Sequence, residues 1–280
     1  MRSVGGGTRV YAVLGHPVGH SLSPRLQNAA FEAAGLDAVY VALDVPPDRF
    51  DAALDGLHAA GVLGLNVTLP HKEAAFARLA GATDAARAAG AANTLRRRDE
   101  GWEGDATDGA GFLAWAAELG IALEGARVIL LGAGGAARSV GHALLTRGAG
   151  TVRVVSRDGA RAEALAATLT RAGRHAGRVE PAALGAPAGG SDPYDLLIRA
   201  IPEPSVLEVE APLWRALDPA APVLDLNYGE RAAETRARAA REGRRMEDGL
   251  GLLLHQGAAS FTFWTGIPAP IEAMRRAIGA

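Results

Sequence analysis

Arg127-Val128-Ile129-Leu130-Leu131-Gly132-Ala133-Gly134-Gly135-Ala136-Ala137 is the stretch that decides the fold. Its apolar run is too short for a helix and fits a strand buried on both faces of a parallel sheet. The chain then turns through Gly132 to Ala136 into a helix that runs to about Arg147. The form is G-x-G-x-x-A. The first glycine permits the tight turn, the second lets backbone approach a pyrophosphate, and the small third residue lets helix and strand pack closely. A second apolar strand, Thr151 to Val155, completes the β-α-β unit. At its end, where an acid usually meets a ribose 2′-hydroxyl, stands Ser156-Arg157-Asp158-Gly159-Ala160-Arg161. Arginine there suits a 2′-phosphate, so NADP is expected as cofactor, while the carboxylate of Asp158 keeps NAD as the alternative.

Downstream, a helix over about Ala160 to Ala172 and a Gly/Pro-rich connection from Pro181 to Pro193 lead to strands at Asp195 to Ile201 and Val223 to Leu226. A basic helix follows over Arg231 to Glu242. The segment Asp248 to Gly266 is expected to be helical and carries Gln256, and a last helix covers Ala269 to Ile278.

Upstream lies a second α/β pattern: strands at Arg9 to Leu14, Ala38 to Val45 and Val62 to Val67, with helices from Ser23 to Gly35 and from Pro47 to Ala60. Ser23 is expected to cap the first helix, with Pro24 at its first position. That leaves Ser21 without capping work. Its hydroxyl, the free N–H groups and the helix dipole together suit a small carboxylate. Helices are expected from Pro70 to about Ala80 and over Thr83 to Ala89, then a hairpin-like pair of strands, then a helix ending at Glu118. Arg96-Arg97-Arg98, followed at once by Asp99-Glu100, reads as a solvated turn between those strands.

Lys72, in Asn66-Val67-Thr68-Leu69-Pro70-His71-Lys72, is the only lysine; every other one of the 29 basic residues is arginine. Arginine stays charged at any workable pH, whereas lysine gives up and takes back a proton. A solitary lysine just past a strand end, where ligands of α/β sheets sit, is therefore read as a proton-transfer group. Asp108, near the start of a helix, can orient that ammonium and hold its proton across a cleft.

The 280 residues are enough for two modest domains, and 49% hydrophobic content supplies a core for each. A net charge of −2 implies no nucleic-acid face, so small-molecule partners are expected. With no cysteine, disulfides, thiolate ligands and thiol nucleophiles drop out. The seven histidines show no metal-site spacing, and every long apolar run is broken before it could span a membrane. A soluble cytoplasmic protein without a metal is expected.

Together the motifs resemble the shikimate dehydrogenase family. They are His20-Ser21-Leu22-Ser23-Pro24 with Asn28, Asn66 to Lys72, Ala92-Asn93-Thr94, Asp105-Ala106-Thr107-Asp108-Gly109, Gly132 to Ala136, Asp225-Leu226-Asn227-Tyr228 and Gly249 to Gln256. The resemblance covers nearly the whole chain. It implies reversible NADP-dependent reduction of 3-dehydroshikimate to shikimate in aromatic amino-acid biosynthesis, by a monomer or homodimer. It also implies a substrate-binding α/β domain over residues 1–107, completed by C-terminal helices returning as 248–280, and a Rossmann-like dinucleotide-binding domain over 108–247. Ser21, Ser23 and Tyr228 would hold the substrate carboxylate, and Thr68, Asn93, Asp108 and Gln256 the ring hydroxyls. Lys72 and Asp108 would form the catalytic pair. Gly132, Ala133, Gly134, Gly135, Ala136, Ser156, Arg157, Asp158 and Arg161 would bind the cofactor, with Leu226 and Gly249 near the nicotinamide. The cleft between domains is the natural site for hydride to meet substrate.

The chain also departs from the family pattern. Arg199-Ala200-Ile201-Pro202 with Glu203-Pro204 replaces a usual Asn-Ala-Thr-Pro and the small residue and glycine after it. Asp158 stands for a usual Thr, Ala106 for Asn, Gln27 for His and Glu230 for Pro. A quinate/shikimate dehydrogenase using NAD is the enzymatic alternative, and a catalytically weak ligand-binding paralogue the non-enzymatic one.

Overall fold

The computed structural model describes residues 4–171, 176–187, 192–202 and 207–280, without the side chains of residues 207 and 208. Glu203 and Pro204 lie outside the described residues. The chain divides into two compact units, Met1–Gly111 with Leu253–Ala280, and Phe112–Leu252.

In the first unit, β1 (Arg9–Gly15), β2 (Ala38–Asp44), β3 (Gly64–Val67), β4 (Gly81–Ala82), β5 (Thr94–Arg98) and β6 (Gly101–Asp105) form one sheet in the order β2-β1-β3-β5-β6-β4. β1 runs parallel to β2 and β3, while β5 is antiparallel to both β3 and β6. Helices α1 (Ser23–Ala33), α2 (Phe50–Ala59), α3 (Lys72–Ala77) and α4 (Asp84–Ala89) connect them, and α5 (Thr107–Glu118) begins here. Leu14, Leu54, Leu65, Leu95 and Trp102 fill one core. Each such fully buried aliphatic side chain contributes about 1.5–3 kcal/mol of hydrophobic free energy.

The second unit has β7 (Arg127–Leu131), α6 (Gly135–Thr146), β8 (Thr151–Ser156), α7 (Gly159–Arg171), β9 (Arg178–Ala183), β10 (Leu196–Arg199), α8 (Leu207–Arg215), β11 (Val223–Asp225), α9 (Ala233–Arg241) and β12 (Met246–Glu247). Its strands are parallel in the order β12-β11-β10-β7-β8-β9, the doubly wound order that reverses between β7 and β10. Alternation along β7 accounts for its unbroken apolar run. Val128 and Leu130 enter the core beneath α6 and α7, and Ile129 and Leu131 the core with Trp214 and Ala239.

Helices α10 (Leu250–Thr265) and α11 (Ile271–Ile278) close the chain. From Leu253 onward they belong to the first unit. Gly64 is bare because a Cβ there would lie 2.7 Å from both Trp264 and Tyr11. The Trp264 indole N–H donates to the Leu95 carbonyl (2.9 Å) and anchors α10 on the sheet.

Several expectations change. The compact units meet at 111/112 and 252/253, beside the domain limits of 107/108 and 247/248 expected from the sequence. Asp108 joins the first unit because its partners lie there, and Gly249 to Leu252 stay with the second because Gly249 N–H donates to Asn227 O (2.8 Å) and Leu252 enters its core. Arg96-Arg97-Arg98 is strand, not turn: Arg96 and Arg98 both reach Glu103 across the β5–β6 pair. The Pro181 to Pro193 connection begins inside β9, an edge strand that tolerates Pro181. Helix α8, with Pro212 inside it, and the two-residue strands β4 and β12 have no counterpart in the sequence reading.

Candidate active site

Lys72 is the first residue of α3, and the segment before it is pinned from several sides. Thr68 N–H donates to Leu14 O (2.8 Å), and Lys72 O accepts from Ala92 N–H (3.0 Å). The buried His71 ring lies 2.7 Å from Val45 O and stacks on Phe50. A cation in the first turn opposes the helix dipole, so capping of α3 does not explain the lysine. Its partner does. Lys72 Nζ donates to Asp108 Oδ2 at 2.5 Å, with the two side chains only 13% and 7% exposed.

Asp108 sits in the first turn of α5. Its other oxygen, Oδ1, accepts from Asn93 Nδ2 (2.9 Å), which also lies 2.9 Å from Thr107 Oγ1 and 3.3 Å from Gln256 Oε1. Gln256 reaches this point because Gly111 has no side chain; a Cβ there would come within 2.5 Å of Gln256 N. Lys72, Asp108, Asn93 and Gln256 thus form one connected group on the first unit.

Beneath it runs a buried polar network absent from the sequence reading. The Tyr40 hydroxyl donates to Asn66 Oδ1 (2.7 Å), and burial holds this phenol protonated, well above its ordinary value. Asn66 Nδ2 donates to Asn93 O, Thr94 Oγ1 and Ser260 Oγ. Ser260 Oγ also lies 2.7 Å from Thr94 Oγ1 and 3.2 Å from Thr107 Oγ1, and donates to Gln256 O at 2.9 Å. Thr107 N–H in turn donates to Asn93 Oδ1 (2.7 Å). Asn93 and Asp108 are thereby held in one orientation each. Full burial of small polar side chains together is the property that marks this group, and one sequence does not display it.

At α1 the hydrogen bond expected of Ser23 is made by Ser21 instead. Leu22, not Ser23, occupies the cap position, and Pro24 is second in the helix. Ser21 Oγ accepts the Ser23 N–H (3.2 Å), satisfying one of the donors a helix start leaves open. The Ser21 hydroxyl proton remains its donor. Gln27, one turn after Ser23, is fully buried and donates to Gly257 O at 2.9 Å, tying α1 to α10 beside Gln256. Thr68 is half-buried just past β3. Tyr228 follows β11 in the second unit, and Glu230 is exposed.

The second unit carries the glycine loop expected to cradle the dinucleotide. Gly132 has φ +132° and a Cβ on it would lie 2.6 Å from Ala200 O, so only glycine serves there. Nothing lies within 4 Å of the Cβ position of Gly134, which caps α6 without a side-chain hydrogen bond. Open space over unhindered backbone N–H groups at a helix N-terminus fits a pyrophosphate. Ala137 is fully buried, the close helix–strand contact expected of the small third residue. Ser156 ends β8, with Arg157 and Arg161 exposed beyond it. The Asp158 carboxylate is turned into its own helix, where Oδ1 accepts Ala160 N–H (3.0 Å). That use draws its charge toward the α7 dipole, so these residues fit a 2′-phosphate. Gly249 packs against Leu226 O. Among the described residues no His, Asp or Glu cluster of metal-binding kind occurs.

A glycine cradle on a doubly wound sheet, with a lysine–carboxylate pair on a second α/β unit, makes the parts of a dinucleotide-dependent dehydrogenase. Comparisons specify it. A family profile described as the shikimate dehydrogenase substrate binding domain matches residues 13–95, and one described as the shikimate 5′-dehydrogenase C-terminal domain matches residues 249–278. A shikimate dehydrogenase (NADP(+)) of Anaeromyxobacter sp. (strain Fw109-5) is 44% identical over 98% of this chain and 97% of its own. The crystal structure of Thermus thermophilus shikimate 5-dehydrogenase in complex with NADP(H) and shikimate is similar at a TM-score of 0.81, with 34% identity over 96% of this chain and 98% of that one. The ligand-free 5-ketofructose reductase of Gluconobacter sp. strain CHM43 also has a TM-score of 0.81, at 28% identity over 98% of this chain and 99% of its own. The chain belongs to the shikimate dehydrogenase family.

Proposed function

We propose that the protein is a shikimate dehydrogenase, reducing 3-dehydroshikimate to shikimate reversibly with NADP(H), a step in the biosynthesis of aromatic amino acids. The observation that carries this reading is the Lys72–Asp108 pair at 2.5 Å, joined to Asn93 and Gln256 in a chain of this family. When bound, NADPH supplies the hydride for the keto carbon. The carbonyl oxygen then needs a proton, and Lys72 Nζ gives it. In the reverse direction Lys72 takes that proton from the hydroxyl. Asp108 aims the ammonium, and Asn93 holds Asp108 by its second oxygen. Thr68, Asn93, Asp108 and Gln256 bind the ring hydroxyls. Ser21, Ser23 and Tyr228 take the carboxylate, supported by the Ser21 hydroxyl at the N-terminus of α1.

Gly132 to Ala136 hold the pyrophosphate, Ser156 to Arg161 the 2′-phosphate end, and Leu226 with Gly249 line the nicotinamide end. NADP is favoured over NAD because Asp158 spends its carboxylate on a helix N–H. We further read the protein as a cytoplasmic monomer or homodimer without a nucleic-acid partner, in keeping with its net charge of −2 and two small solutes as ligands. No described helix is long and apolar enough to cross a membrane.

Initial rates with shikimate and quinate, each against NADP and NAD, test the assignment. Shikimate with NADP gives the highest kcat/KM; a preference for quinate with NAD would overturn it in favour of the quinate enzyme. Calorimetric binding of shikimate without turnover would mark a paralogue that has kept the site and lost the reaction.

A further inference from the structure

Arg199 stands where the family usually has asparagine, at the last position of β10, and it is 0% exposed. Its Nε lies 3.2 Å from Glu210 Oε1 on α8, and its Nη1 lies 3.2 Å from Asp225 Oδ2. Glu210 is 1% exposed and Asp225 0%. Taking three charges out of water is offset only where their pairing and remaining hydrogen bonds are close to complete. Asp225 meets that condition. Oδ2 also accepts from the Thr235 hydroxyl (2.7 Å), and Oδ1 accepts from both the backbone N–H (3.0 Å) and the side-chain amide (2.8 Å) of Asn227.

The location of this triad gives it a use. Arg199 and Asp225 are register partners at the carboxyl ends of two neighbouring parallel strands, the edge at which open α/β sheets bind ligands. The segments leaving those ends are tied to each other and to the cradle. Asn227 Nδ2 donates to Ile201 O (2.7 Å), and Leu226 N–H donates to Arg199 O (2.9 Å). Ala200 N–H donates to Leu131 O (2.7 Å), directly before Gly132. The Ala200 carbonyl fills the space that a Cβ on Gly132 would need, and Asn227 O accepts the Gly249 N–H. The chain of contacts thus runs from Gly132, on the pyrophosphate side, to Leu226 and Gly249 on the nicotinamide side, and the buried triad is its middle. None of these contacts involves the adenosine end, Ser156 to Arg161.

We propose that Arg199 is a positioning residue for the dinucleotide. By bridging Glu210 and Asp225, it holds Ala200 and Ile201 after β10 and Leu226 and Asn227 after β11 at the spacing that receives the pyrophosphate and nicotinamide portions. A planar guanidinium presents donors in two directions at once, which a lysine ammonium at the same site does not reproduce. The proposal rests on the cofactor reading above.

The test is calorimetric titration of wild type, Arg199→Lys and Arg199→Met with three probes: NADP+, adenosine 2′-phosphate and shikimate. Thermal unfolding of each variant is measured alongside. Both variants are expected to bind NADP+ roughly tenfold more weakly, the scale of coupling carried through one packed network. Adenosine 2′-phosphate and shikimate should bind as they do to wild type. Where Arg199→Met does not fold, Arg199→Lys and Asp225→Asn, which keep the packing volume, carry the same comparison. Unchanged NADP+ affinity with a lowered Tm would make the triad a stabilising feature only and overturn the proposal. Equal weakening of NADP+ and adenosine 2′-phosphate would overturn it too, by showing general loosening of the unit. A wild-type protein that binds neither nucleotide would instead overturn the cofactor reading, and the proposal with it.

Discussion

Lys72→Arg and Lys72→Met, made together, separate the two things the lysine does. The ammonium is 13% exposed and meets a carboxylate that is 7% exposed, at 2.5 Å. Methionine keeps most of the stem but leaves Asp108 buried with its charge facing no cation from this position. Breaking a buried pair by removing one partner costs about 3–5 kcal/mol, so Lys72→Met should be destabilised on that scale. Arginine keeps the cation and its hydrogen bond to Asp108, and should unfold within about 1 kcal/mol of wild type. Neither side chain delivers a proton. Lost general-acid help is worth about 10²–10⁴ in rate, so kcat should fall by that factor in both variants, in both directions of reaction. At about 1.36 kcal/mol per decade this is roughly 3–5 kcal/mol of transition-state free energy. The substrate KM should move far less, because the interaction is made chiefly in the transition state. The assay is steady-state NADPH absorbance with urea unfolding alongside. If Lys72→Arg turns over near the wild-type rate, a fixed positive charge suffices and proton transfer by Lys72 is refuted.

Other expectations follow from single contacts. Arg157→Ala should raise KM for NADP more than for NAD, and an equal rise in both would remove it from 2′-phosphate binding. Asp158→Ala removes the acceptor for Ala160 N–H and should cost about 0.5–2 kcal/mol by urea unfolding, with the NADP preference retained. Ser260→Ala removes one partner each from Asn66 Nδ2, Thr94 Oγ1 and Thr107 Oγ1, each of which keeps others, so it should cost about 0.5–1.5 kcal/mol and raise the substrate KM while sparing that of NADP; unchanged values of both would refute the network's role. Glu103 is held below its ordinary carboxyl value chiefly by the hydrogen bond from Arg96, with Arg98 adding to it against the opposing effect of burial. A lowered folded value means its stabilisation is full above the ordinary value of 4.5 and is lost as pH falls through the folded one. Glu103→Gln should therefore be less stable than wild type near neutral pH, and the difference should shrink in acid when unfolding is followed across that range.

How far the sequence could be read depended on whether a residue's meaning lies in its neighbours along the chain. The run Arg127 to Ala137 carries strand, turn and helix in contiguous positions, and β7, the Gly132 turn and α6 follow it closely. Period and glycine placement are local properties, so they survive without coordinates. Boundaries were less legible where tertiary contacts override local signals. Pro181 lies in β9 because an edge strand can spare its N–H, and α8 contains Pro212 although proline is a poor interior helix residue. The serines of α1 show the same limit. A Ser-Pro pair reads as cap and first position, but the chain starts its helix one residue earlier and hands the capping hydrogen bond to Ser21.

The candidate site divides along the same line. Lys72 was conspicuous by composition, and Asp108 by its place at a helix start, yet nothing local says that they meet across 36 positions of chain. Ser260 and Thr94 are ordinary small polar residues in sequence; only burial makes them matter, because a buried hydroxyl must find partners and so fixes the groups it bonds. Arg199 is the sharper case. In sequence it is a departure that casts doubt on the cofactor segment, since a charged residue replaces a neutral one at the end of an apolar strand. In the fold it meets Glu210, which is 11 positions away, and Asp225, which is 26 away, so a local mismatch becomes part of a buried, paired set of charges. A departure from a family motif is therefore weighed by what its side chain touches. One that had left a buried charge unpaired would argue for lost function, whereas one that recruits two carboxylates and, through them, Asn227 and Ile201 argues for a different way of holding the same segment.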